Sequence, residues 1–224
     1  MNSFFDRKTG ALAEIIRLQF QETPQRILVV GCGNGSEAAV LAEELGAKVV
    51  GIDIVSEFDT RAAKFATLSL GDATKMEFDD ESFDFIYSYH ALEHIADYKA
   101  ALHEMRRVLK PSGGFLIGTP NRSRLIGYLG SRGATVYQKI SWNLADWKAK
   151  IGGKFRNECG AHAGYALEEL RSELLTVFNI VNDITPMYYV LVYPTRRAAV
   201  SWLYRTGISR WVLPSVYFCG APGK

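Results

Sequence analysis

Short apolar runs alternate with segments of helical period through the first half of the chain. That pattern predicts an open sheet of parallel strands with helices on both faces. Phe4, Phe5, Leu12, Ile15, Ile16 and Phe20 recur at roughly helical spacing and predict a helix within residues 3–22, which Pro24 breaks. The run Ile27–Val30 predicts a first strand, Ser36–Leu45 a helix, and Lys48–Asp53 a second strand. A short helix over 59–66 and a third strand over Thr67–Leu70 follow, then a fourth strand over Phe85–Tyr89. Between 97 and 109, Tyr98, Ala101, Leu102, Met105, Val108 and Leu109 share one side of an amphipathic helix. Lys110-Pro-Ser-Gly-Gly114 is expected to stop that helix, and Phe115–Thr119 to form the fifth strand.

The second half is less regular. From Asn121 to Gly164 glycines, aromatics and bases show no clean period, so this stretch reads as an insertion over the pocket, a lid or recognition segment. Tyr165–Leu175 returns to helix, Val177–Val192 reads as strand, and Ser215–Gly220 as a last strand. No tract resembles a linker, so the 224 residues are expected to form a single domain: a core over 26–121, an insertion over 122–164 and a C-terminal part over 165–224.

The first strand ends on Gly31, Gly33 and Gly35, and a helix follows at once. Glycine reaches φ > 0 without steric cost, so Gly31 permits a sharp turn, while the bare Gly33 lets a ligand approach the backbone. The following helix directs its first N–H groups and the positive end of its dipole to the same place. Together these predict a nucleotide-binding turn. A dinucleotide site wants its third glycine at position 36, where the chain has Ser36. That substitution disfavours a nicotinamide dehydrogenase. Asp53 closes the second strand 22 residues beyond Gly31, where an ionised carboxylate can accept both hydroxyls of a ribose; Ile54 beside it is a further candidate contact.

Charge adds a contrast that the net value of +2 hides. Residues 1–121 hold 12 Lys and Arg against 18 Asp and Glu, while residues 122–224 hold 14 against 6. No acid follows Asp183. A basic half suits an anionic partner: a phosphate-bearing substrate, RNA or a membrane surface. Between 188 and 213, Tyr188, Tyr189, Trp202, Tyr204 and Trp211 interleave with Arg196, Arg197, Arg205 and Arg210, so a peripheral membrane contact through this segment is an expectation, ahead of nucleic acid. Packing of these aromatics on the domain edge, with the arginines reaching water, explains the composition equally well. Cys32, Cys159 and Cys219 form no C-x-x-C pair and read as reduced thiols of a cytoplasmic protein. No apolar run is long enough to span a bilayer, and the N-terminus lacks the apolar core of a signal peptide.

The G-x-G-x-G turn resembles motif I of the class I S-adenosylmethionine-dependent methyltransferases. The string GDATKMEFDDESFDFIYS over 71–88 closely resembles the motif II region of their type 11 members, and RVLKPSGG over 107–114 followed by an apolar strand matches them too. The resemblance is good over about 26–121 and loose elsewhere. It implies a seven-stranded Rossmann-like methyltransferase fold binding S-adenosyl-L-methionine and releasing S-adenosyl-L-homocysteine. By the same resemblance Asp72 and Ala73 would hold the adenine, and Tyr89 would lie near the methyl group.

Candidate chemistry follows the fourth strand in His90-Ala-Leu-Glu93-His94. In a helix, His90, Glu93 and His94 would share one face. An imidazole titrates near neutral pH and suits a general base toward an acceptor hydroxyl, so His94, His90 and Glu93 are the catalytic candidates. The stretch also resembles the E-x-x-E-H motif by which ubiquinone-pathway O-methyltransferases and small-RNA 2′-O-methyltransferases bind a divalent metal. His90 replaces the first Glu. In the RNA group a further histidine precedes the helix after the fifth strand. GAHAGYALEEL puts His162 in about that place, and GTPN ending at Asn121 resembles that group as well. His90, Glu93, His94 and His162 are therefore metal candidates, with direct base catalysis preferred. The reading favoured is O-methylation of a small or lipid-linked acceptor. An RNA 2′-O-methyltransferase and a non-catalytic cofactor-binding protein are the alternatives.

Overall fold

A computed structural model describes residues 3–128, 133–157 and 163–223. In chain order the elements are α1 (Ser3–Gln19), β1 (Arg26–Val30), α2 (Ser36–Leu45), β2 (Lys48–Asp53), β3 (Thr67–Leu70), β4 (Phe83–Tyr89), α3 (Tyr98–Val108) and β5 (Leu109–Pro120). They continue with α4 (Val136–Ile151), α5 (Leu167–Leu175), β6 (Ile180–Asp183), α6 (Thr185–Val192), α7 (Arg197–Arg205), α8 (Ser209–Val212) and β7 (Ser215–Ala221). The strands form one seven-stranded sheet in the order β3-β2-β1-β4-β5-β7-β6. All neighbours run parallel except β7, which is antiparallel to both β5 and β6.

The order reverses between β1 and β4, so the crossovers leave the sheet on opposite faces there and open a crevice at the carboxyl ends. β1 is central, and its side chains alternate between two cores. Ile27 and Val29 face the core shared with α1, α2 and α6, while Leu28 and Val30 face the one shared with α3 and α5. All four are fully buried, which is why β1 reads as a continuous apolar run. Each such side chain contributes on the order of 2 kcal/mol by leaving water.

Several expectations change. Residues 59–66 give only a single 3₁₀ turn at Ala62–Lys64, and α3 passes directly into β5, which takes in the whole Lys110–Gly114 segment. Val177–Val192 is not one strand. β6 stops at Asp183, whose Oδ1 accepts the Thr185 N–H at 2.9 Å, and Pro186 stands in the first turn of α6. Proline in a first turn is preorganised for helix and cannot donate to a ladder, so local chemistry overrides the β-prone composition. α6 then buries Tyr188, Tyr189 and Val192 in the core, which removes those two tyrosines from any surface. α7 buries Val200 and leaves Trp202 exposed. The insertion is not irregular either: α4 is a regular helix of 16 residues, started by a capping box between Thr135 and Gln138. Among the described residues no helix is long and apolar enough to cross a membrane.

Candidate active site

The glycine turn has the conformation its sequence requires. Gly31, Gly33 and Gly35 have φ of 74°, 52° and 85°. A Cβ at Gly31 would stand 2.1 Å from the Cβ of Ala91, and one at Gly35 would stand 2.2 Å from Leu68. A Cβ at Gly33 would meet nothing within 4 Å. Two glycines therefore serve close packing, and the middle one faces open space. The Gly31 and Cys32 N–H groups both donate to the Ile52 carbonyl, which fastens the turn to the end of β2. Burial, with Asp53 nearby, pushes the Cys32 thiol up to about 12, so it stays protonated.

Asp53 joins the same construction. One carboxylate oxygen accepts the Gly33 N–H at 2.8 Å and the other accepts the Val55 N–H at 3.1 Å. A carboxylate has about four acceptor positions, so this one keeps capacity for a ligand. Ile54 next to it is 76% exposed, a large apolar side chain at the rim of the crevice. At the end of β3, Asp72 accepts both the N–H and the hydroxyl of Thr74, at 2.8 and 2.7 Å. These bonds favour the ionised form and hold its carboxyl below the usual range. Ala73 beside it is buried.

Beyond β4 the expected helix is absent. Only Leu92–His94 form a 3₁₀ turn, and His90 lies outside it at φ 53°. The His90 ring stacks on Tyr89 with centroids 4.3 Å apart, and its Nε2 lies 3.1 Å from the Ser215 hydroxyl on β7. Glu93 turns into the protein, 5% exposed, and neither oxygen has a hydrogen-bond partner outside its own residue among those described. Burial pushes its pKa up to about 7. His94 points outward, with Nε2 4.0 Å from Glu93. The three therefore do not share a face, because a 3₁₀ turn beginning after a left-handed residue cannot place them as an α-helix would. Among the described residues no group of three or more His, Cys, Asp or Glu side chains converges to hold a metal. The fourth candidate, His162, lies outside the described residues.

Asn121 has a structural explanation: its buried amide donates to the Arg210 and Leu213 carbonyls, at 2.8 Å each. Two groups at the site were not anticipated from sequence. Glu37, in the first turn of α2, accepts the Tyr87 hydroxyl at 3.0 Å, and burial pushes its carboxyl up to about 7. Tyr165 lies close enough for Glu93 to help raise its phenol, which burial raises first. An acid directly after a glycine turn is a readable signal for Glu37; nothing local marks Tyr165.

Residues 28–117 match the family described as methyltransferase domain. The chain is 27% identical over 198 residues to the demethylmenaquinone methyltransferase of Oceanobacillus iheyensis, covering 77% of this chain and 83% of that one. Phosphoethanolamine N-methyltransferase 2 of Haemonchus contortus, solved with S-adenosyl-L-methionine, superposes with a TM-score of 0.59 at 19% identity. That match covers 95% of this chain and 52% of the other, so this chain spans about half the Haemonchus protein. The YcgJ protein of Bacillus subtilis gives a TM-score of 0.60 at 16% identity, covering 97% and 98%. Over residues 28–117 the chain thus matches the methyltransferase-domain family, and along most of its length it is similar to proteins named as methyltransferases.

Proposed function

We propose that the protein methylates an oxygen of a small or lipid-linked acceptor, with Glu93 accepting its proton through His94. The observation that carries this reading is a carboxylate buried at the carboxyl end of β4, 4.0 Å from the exposed His94 ring, without a hydrogen-bond partner among the described residues, and pushed up by burial to about 7. The relative named for demethylmenaquinone supports the acceptor class.

The crevice fits the cofactor of the class. Open space over Gly33 leaves room for the methionine moiety, with Gly31 and Gly35 shaping the turn around it. Asp53 would accept the ribose hydroxyls, and Asp72 with Ala73 would meet the adenine, against which Ile54 offers an apolar edge. When bound, S-adenosyl-L-methionine supplies an electrophilic methyl group on a sulfonium whose departing thioether is neutral, so the leaving group needs no acid. The protein's tasks are then to hold the acceptor in line and to take its proton. The exposed His94 imidazole takes the acceptor's O–H proton as the new C–O bond forms and passes it to Glu93, 4.0 Å away. Poor solvation raises the basicity of Glu93 into the useful range without a metal partner in the scheme. Tyr89 and His90, stacked together, wall the acceptor side of the pocket.

Calorimetry with S-adenosyl-L-homocysteine tests the cofactor site, and transfer of a labelled methyl group into lipid, polyphenol, glycan and RNA pools tests the acceptor. Micromolar binding with label in the lipid or polyphenol pool is expected. Label appearing only in RNA, or no label in any pool despite binding, would overturn the proposal.

A further inference from the structure

α4 exposes its apolar side. A helix on a soluble domain ordinarily turns its apolar stripe to the core. Here the row Asn143, Asp146 and Lys150 faces the body instead. Asn143 accepts the Gly127 N–H at 2.7 Å and donates to its carbonyl at 3.2 Å, Asp146 pairs with Arg124 at 3.2 Å and with the Tyr128 hydroxyl at 3.1 Å, and Lys150 donates to the Arg124 carbonyl. The neighbouring row, at spacings of three and four, is Tyr137, Ile140, Leu144, Trp147 and Ile151. Every member is exposed, Tyr137 to 80% and Ile151 to 90%, and no residue of α4 is buried.

The apolar row extends onto the body of the protein. The Trp147 ring N–H donates to the Leu125 carbonyl at 2.6 Å, and the Leu125 N–H donates to the Trp211 carbonyl at 2.7 Å. Leu125, Ile126, Trp211 and Val212 are all exposed. These contacts join α4, the 121–128 loop and α8 into one surface. Its border is basic: besides the inward-turned Lys150, residues 136–157 hold Lys139, Lys148, Lys154 and Arg156, while the single acid, Asp146, is paired with Arg124.

We propose that this surface seats the protein on an anionic lipid bilayer, with α4 lying in the interface plane and its apolar row among the acyl chains. Charge complementarity selects that occupant. Lysines flanking an apolar row meet anionic headgroups favourably, whereas a second copy would oppose base to base. The Trp and Tyr rings of the row belong at headgroup depth, where an apolar body with a polar tip is favoured. The docking surface differs from the arginine-rich segment singled out in the sequence, which adds only its Trp211 end. It stands whether or not the acceptor is a lipid.

The test is sedimentation of the whole protein with vesicles of phosphatidylcholine alone or mixed equally with phosphatidylglycerol, with tryptophan emission recorded in parallel. The wild type should bind the anionic vesicles at least about tenfold more tightly, weaken as salt is added, and shift its emission to the blue. The double substitution I140E/I151E should lose about tenfold or more in binding with its thermal midpoint unchanged, because neither side chain is packed in the fold. K148E/K154E should lose the preference for phosphatidylglycerol. Absence of binding to either vesicle, equal binding by I140E/I151E and wild type, or a dimer by light scattering that I140E/I151E dissociates would each overturn the proposal.

Discussion

Replacing Glu93 by Gln should stabilise the protein at high pH while depressing turnover. Buried and without a hydrogen-bond partner among the described residues, the Glu93 carboxyl is pushed up to about 7 in the folded protein from its ordinary 4.5. A folded-state pKa above the unfolded one means that the folded protein holds the proton more tightly. The favourable contribution is therefore complete below pH 4.5 and is lost as pH rises through 7. The rise from 4.5 to about 7 corresponds to roughly 3 kcal/mol in full, of which about 2.5 kcal/mol falls between pH 5 and pH 8. Gln keeps the shape and stays neutral, so it escapes this pH-dependent loss. Urea unfolding of wild type and E93Q at pH 5 and pH 8 checks the sign directly. The variant's stability relative to wild type should rise by about 2–3 kcal/mol from the lower pH to the higher, or about 5–10 °C in midpoint for a chain of this size. A difference between variant and wild type that does not change with pH would refute the buried placement of this carboxylate. Loss of turnover with an unchanged homocysteine-analogue affinity completes the prediction. It follows from the proton-accepting role and not from stability.

Asp53→Ala should weaken S-adenosyl-L-homocysteine binding by about tenfold or more in calorimetry, since it removes two acceptor oxygens and frees the Gly33 and Val55 amides that they hold. Gly31→Ala and Gly33→Ala should separate folding from binding. The first places a methyl group 2.1 Å from Ala91 Cβ at a positive φ and should lower stability by about 2–5 kcal/mol. The second meets open space and should lower stability by only about 1 kcal/mol while reducing ligand affinity, as read by thermal melts alongside calorimetry.

The opening βαβ unit was legible because its determinants are local. An apolar run ending on alternate glycines specifies strand, turn and helix over 26–45, and an acid at the next strand end specifies Asp53. Both descend from backbone chemistry that operates within a few residues. The helix α4 escaped notice for a related reason. Its apolar residues recur at helical spacing, but bases and a tryptophan outside the row blur the stripe, and no core beneath it demands a clean one.

Sequence by itself therefore determined the strand, turn and helix over 26–45, the second strand, the glycine turn and the acids at the ends of β2 and β3. Tertiary structure alone decided that Glu93 is buried while His94 is not, and that His90 turns to Ser215 on β7. It also decided that α4 turns polar residues to the body and apolar ones outward. The reason is physical: periodicity fixes how a segment coils, but which side is covered depends on neighbours such as Tyr165 and Ser215 that lie far along the chain. Burial, and with it the basicity of a carboxylate, belongs to that assembly and to no single segment.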